Sequence, residues 1–187
     1  MLSVGLCDTW HHNQLAHKSI MKHQVKSALK IKATAEKVWE ILDDFGGVEK
    51  FSFGVEKSPI IGDKHSGLGA KRHCIFYDKS GVYEEIVAYQ ENKSFRVVLS
   101  EFSMPLETMY AGFRVEKISE TSCEVFMDME FVVKFGPLGA LMGMVMLRPV
   151  MKGLQKKMLS GLAYHAVTGK TIGNKLPPGK ELAQALA

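Results

Sequence analysis

From Lys22 to Ala33 apolar and charged positions alternate, Val25, Leu29 and Ile31 standing against Lys26, Lys30 and Lys32. That period of two is the mark of a half-buried strand. The period then changes: Val38, Trp39, Ile41 and Leu42 fall on one face at helical spacing, behind a Thr34 hydroxyl placed to cap the helix over Lys37. Gly46-Gly47 ends this helix, and a short helical turn over 48–51 is expected before Gly54. Turn residues then recur at Gly62-Asp63, Gly67 to Gly69, Asp78 to Gly81, Asn92-Lys93, Ser103 to Pro105 and Ser119 to Ser122. The β-branched and aromatic runs between them predict strands near 54–61, 69–77, 81–90, 94–102, 108–118 and 122–134, an antiparallel meander.

The last element is helical. It begins after Pro137 and is expected to kink or break at Pro149, which lacks an amide donor and crowds the preceding turn, before continuing to about Thr168. Leu147, Val150, Met151, Leu154, Met158, Leu162 and His165 lie three or four apart and form one stripe, with Lys152, Lys156 and Lys157 off it. The tail from Gly169, through Pro177-Pro178-Gly179, reads as an exit loop ending in a frayed turn. Three units follow: an arm over 1–21, one domain over 22–169 and a tail over 170–187.

A chain of 187 residues buries roughly 70% of its unfolded surface, so one core suffices without metal or disulfide. Cys7, Cys74 and Cys123 are odd in number and lack CxxC spacing, which fits reduced thiols in a cytoplasmic protein. The net charge of +4 comes from scattered lysines without interleaved aromatics, and nucleic acid is not expected. Met1 to Leu6 is too short for a signal-peptide core, and the apolar run 136–147 is too short to span a bilayer. That run reads as a lid or a core segment. His11, His12 and His17 lack a second cluster at ligand spacing, so no metal site is expected.

Five strings in order resemble the polyketide cyclase/dehydrase branch of the START-like (SRPBCC) superfamily. They are IKATAEKVWEILDDFGG (31–47), GLGAKR (67–72), GVYEEIVAY (81–89), SCEVFMDMEF (122–131) and KGLQKKMLSGL (152–162). The resemblance implies an α+β helix-grip fold: a seven-stranded curved antiparallel sheet wrapped around a long C-terminal helix, two short helices after the first strand, and a hydrophobic cavity between sheet and helix. Such a fold does not fix a function.

Strand parity, with the family's GxGAxR and glutamate positions, selects the faces turned toward that cavity. Arg72, Cys74 and Phe76 form one set, and Val82, Glu84, Ile86 and Ala88 another. Phe95, Val97 and Leu99, then Met109, Ala111, Phe113 and Val115, then Cys123, Val125, Met127, Met129 and Phe131, continue the inner face. Met151, Leu154 and Met158 face it from the helix. Arg72 and Glu84 would meet in apolar surroundings, where a charge needs a partner. They either orient a polar ligand group or form a structural ion pair. Eleven methionines suit either a bulky apolar ligand or plain core packing. Gly67, Leu68 and Gly69 resemble the gate loop of hormone-receptor relatives, although their downstream latch is replaced by Asn92-Lys93-Ser94.

Nucleophile-elbow, zincin, P-loop and dinucleotide motifs are absent, and no cofactor is expected. His73 and His165 could titrate near neutrality, but parity sends His73 outward, and Asp43-Asp44 read as a solvated helix end. The leading reading is a binding or transport module for a hydrophobic small molecule such as a lipid, a quinone or a polyketide-like compound, acting as monomer or homodimer. The second is a cyclase- or hydrolase-type enzyme using Arg72, Glu84 or Tyr110. The third is a module that docks on a protein or a membrane surface through the His-rich arm and 136–147, a reading that an exposed apolar patch would support.

Overall fold

The computed structural model describes residues 22–102 and 104–187; the expected arm with its three histidines lies outside them. Strand β1 (Lys22–Ile31) carries a strictly alternating start and pairs antiparallel with β8 (Ser122–Val133), Lys22 opposite Val132 and Ile31 opposite Cys123. Thr34 accepts a 3.1 Å bond from the Lys37 amide and starts α1 (Ala35–Asp43), which buries Val38, Trp39 and Leu42. A 3₁₀ turn over Phe45–Lys50 follows and buries Phe45 and Val48.

The expected strand over 54–61 is divided. Proline 59 has no amide to give a ladder, so the segment becomes β2 (Val55–Lys57) and the two-residue β3 (Ile60–Ile61), both pairing with β4 (Lys71–Phe76). β5 (Gly81–Gln90), β6 (Ser94–Ser100) and β7 (Leu106–Ser119) complete an antiparallel sheet of eight strands. Seven follow one path, β1-β8-β7-β6-β5-β4-β2, and β3 lies off it. This is the curved sheet the resemblance implied, with one short strand added.

One irregularity overturns a parity assignment. The β5/β6 register shifts between Ile86 and Ala88, and an inserted residue reverses which side chains face inward. Ala88 is therefore exposed, and Tyr89 turns in against Trp39, their ring centroids 5.8 Å apart. The Tyr89 hydroxyl donates to Asp43 at 2.7 Å, so Asp43 anchors α1 to the sheet rather than standing in solvent.

The C-terminal helix runs on without a break where a kink or break was expected. α2 (Gly136–Met142) passes through a π turn (Gly143–Leu147) into α3 (Arg148–Thr168), with Pro149 in the first turn of α3. The widened turn absorbs the bond that proline cannot make. The buried face of α3 is rotated from the expected stripe: Met151, Gln155, Leu159 and Leu162 are buried while Val150 is exposed. Gln155 has no exposed surface, and it satisfies its amide by donating to the Val25 and Met127 carbonyls at 2.9 and 3.3 Å and accepting from the Ser27 hydroxyl at 2.9 Å. Further along, a Cβ at Gly161 would collide with the Phe51 carbonyl, so only glycine lets α3 close on the end of the 3₁₀ turn.

The tail is not an exit loop. Ile172 is buried, its amide bonds the Lys50 carbonyl at 2.7 Å, and α4 (Gly179–Gln184) brings Leu186 to bridge Ile31. The chain end thereby covers part of the open edge of β1, a site otherwise available for unwanted strand pairing.

Candidate functional site

Between the inner face of the sheet and the first half of α3 lies a cavity of about 190 Å³. Alternation along four central strands builds its walls: Arg72, Cys74 and Phe76 from β4, Val82 and Glu84 from β5, Val97 and Leu99 from β6, and Met109, Ala111 and Phe113 from β7. β8 supplies Met127 and Met129, and α3 closes the space with Met151, Leu154 and Met158. Six of the eleven methionines line it. Flexible thioether side chains fill irregular space and repack at low cost.

The register sets Arg72 directly opposite Glu84. Arg72 Nε donates to Glu84 Oε2 at 2.6 Å, Nη2 pairs with the same carboxylate, and Nη1 donates to the Phe45 carbonyl at 2.6 Å. The guanidinium also lies 4.1 Å above the Phe45 ring, in the cation–π arrangement. Burial opposes its charge, but the Glu84 carboxylate beside it favours that charge, and Arg72 is held above its ordinary value. Burial pushes the Cys74 thiol up to about 12, with Glu84 adding to the shift, so it stays a protonated thiol and a poor nucleophile.

Other predicted residues lie elsewhere. Ile86 faces inward and is buried in the core but does not line the cavity. Tyr110 alternates with the lining pair Met109 and Ala111 and sits on the outer face, with the Arg96 guanidinium 5.1 Å from its ring. Gly67, Leu68 and Gly69 also stand apart from the cavity: Gly69 bonds the Ile86 carbonyl at 2.8 Å, and Ala70 bonds Gly67 at 3.0 Å. Positive φ angles at Gly67 and Gly69 serve a tight turn tied to β5. His73 stacks on Tyr83 at 4.2 Å, off the cavity, and His165 contacts the Lys170 carbonyl at 2.9 Å.

Sequence parity missed the part of the lining that comes from irregular segments. Val48, Ser52 and Phe53 arrive from the 3₁₀ turn and its exit, and Phe102 and Met104 from the β6–β7 connection. Lys157, expected off the helix stripe, reaches the rim with its ammonium 4.7 Å from the Phe53 ring. Among the described residues, the lining holds no histidine, tyrosine or aspartate. Its one carboxylate is already paired. The arrangement can enclose an apolar body, with Ser52 and Lys157 left to meet a polar end.

A family model described as polyketide cyclase/dehydrase and lipid transport matches residues 22–167. Among solved structures, norcoclaurine synthase from Thalictrum flavum, in complex with dopamine and hydroxybenzaldehyde, superposes with a TM-score of 0.62 at 17% identity, over 92% of this chain and 100% of that one. An uncharacterised Bacillus thuringiensis protein gives 0.64 at 13% identity over 78% and 99% of the two chains, and XoxI from Bacillus cereus gives 0.63 at 13% over 78% and 96%. At these identities the likeness is one of fold. No curated protein matches the sequence.

Proposed function

Since the chain belongs to the polyketide cyclase/dehydrase and lipid transport family, we propose that it binds and carries a hydrophobic small molecule, of lipid, quinone or polyketide-like chemistry, in the cavity under α3. The supporting observation is the lining itself: methionine, phenylalanine and aliphatic side chains surround the space, and its one buried ion pair is closed on itself. A cavity of about 190 Å³ is smaller than the roughly 300–1,000 Å³ of ligand pockets generally, so a sizeable guest enters by displacing methionine side chains. Lys157 at the rim suits the polar end of such a molecule. Two buried cysteines, Cys74 and Cys123, fit a reducing, cytoplasmic setting.

Native mass spectrometry of the purified protein, followed by solvent extraction, tests the proposal. A stoichiometric lipophilic adduct that disappears in Met127→Trp and Met158→Trp, where indole fills the space, is the expected result. If no adduct is found, and added lipids and quinones also fail to bind, the carrier reading fails. Turnover that is lost in Glu84→Gln would then favour an enzyme working in the same cavity.

A further inference from the structure

We propose that the outer face of 135–150 is a docking surface for a lipid bilayer carrying anionic headgroups. This goes beyond the carrier reading and does not rest on it. The segment is built opposite to an ordinary amphipathic helix, which buries its large apolar side chains. Here the inner side carries small residues. A Cβ at Gly139 would collide with the Lys134 carbonyl, and one at Gly143 with the His23 ring, so the backbone of α2 and the π turn is pressed onto its neighbours. The large side chains point outward: Phe135 is 70% and Leu138 74% exposed, and Leu141, Met144, Val145 and Met146 are all at least half exposed. A contiguous run of this kind marks an interaction site.

Charge decides among the candidate occupants. From Phe131 to Lys180 the chain carries eight lysines and arginines and no aspartate or glutamate, whereas the other residues carry 16 against 20. Lys134 and Arg148 bracket the apolar run, with Lys152 one turn beyond, and all three are exposed. Among the described residues none of them joins an ion pair. A two-fold contact between copies of this chain would set this cationic face against itself. An anionic bilayer instead accepts apolar side chains below the headgroups and cations at their level, where lysine and arginine extend their charged ends to the interface.

Position gives the contact a use. Val150 and Leu154 continue the exposed apolar line into α3, and Leu154, 39% exposed, is also a wall of the cavity. At the other end the Lys134 amide bonds the Pro105 carbonyl at 3.0 Å, bringing the start of the segment beside the connection that supplies Met104 to the cavity. A bilayer seated on this face meets the rim of the cavity directly.

Flotation of the full chain with phosphatidylcholine vesicles, and with vesicles that also contain phosphatidylglycerol, tests the proposal. Binding is expected to the anionic vesicles, to weaken as salt is raised, and to fall by about fivefold per cation removed in Lys134→Gln and Arg148→Gln. Leu138→Asn with Met146→Ser should abolish it while circular dichroism stays that of the parent protein. Failure to bind either vesicle would overturn the proposal. So would binding that appears only after residues 1–21 are removed, or a dimer in sedimentation that Leu138→Asn dissolves.

Discussion

Methionine is used in two opposite ways in this molecule. Six methionines face inward around the cavity, Met127 and Met151 among the most deeply buried side chains, while Met144 and Met146 stand on the outer face of 135–150 at 50% and 63% exposure. The residue type is constant and its energetic role is not. Inside, four of them, Met109, Met127, Met129 and Met151, are removed from water on folding, and at about 25 cal/mol per Å² each contributes to the stability of the domain. Outside, its apolar surface remains in water. A sequence can thus spend the same side chain on holding itself together or on meeting something else, and only the fold distinguishes the two.

The largest effect that would disturb this contrast lies in the cavity wall. Glu84→Ala leaves the buried Arg72 charge without its counterion, and a loss of about 3–5 kcal/mol in urea unfolding is expected. The pair Arg72→Met with Glu84→Leu should restore most of it; if it does not, the ion pair carries more of the fold than its own charges. Met127→Ala follows, at about 2–5 kcal/mol, since Met127 is only 2% exposed. Met144→Ala, the matching change outside, should stay within about 0.5 kcal/mol. Equal costs for the two methionines would dissolve the distinction drawn here.

Between these extremes lies the seam beneath the exposed segment. His23 is 6% exposed, stacks on Phe131 at 5.3 Å, and its Nε2 has no partner among the described residues. Burial, with the Arg148 guanidinium nearby, lowers its pKa from 6.5. The unfolded chain therefore binds the proton more readily, and stability falls as pH drops below about 6.5 until the lowered folded value is passed. His23→Phe should flatten that slope in melts between neutral and mildly acid pH. An unchanged slope would place the acid sensitivity elsewhere.

Much of this architecture is written in periodicity. The alternation of β1, β7 and β8 names the inner face correctly because their pairing is regular through the middle of each strand, and parity together with the family's arginine and glutamate positions brings Arg72 and Glu84 to the same inner face. Parity failed where the backbone departs from regularity. A single bulge exchanged Ala88 for Tyr89, and Pro59 split one strand into two. On α3 the apolar stripe read from spacing does not contain Gln155, but an amide with three partners can be buried as fully as a leucine. The lining from Val48, Ser52, Phe53, Phe102 and Met104 has no period at all, since turns and connections place side chains by tertiary packing. The exposed face of 135–150 was legible as an apolar run but not as exposed, because the glycines that seat its inner side look, in sequence, like breaks.

Gln155 turns the grip of sheet on helix into an asymmetric one. Its three bonds to Ser27, Val25 and Met127 tie the middle of α3 to β1 and β8, and the close approach of Gly161 to Phe51 ties the helix again two turns later. Val150 and Leu154 precede both ties, the first exposed and the second a wall of the cavity. A rod tied at two points along its length can swing at its near end but not slide. Any widening of the cavity is then a movement of that end of α3 about Gln155, and the container has one door with its hinge at mid-helix.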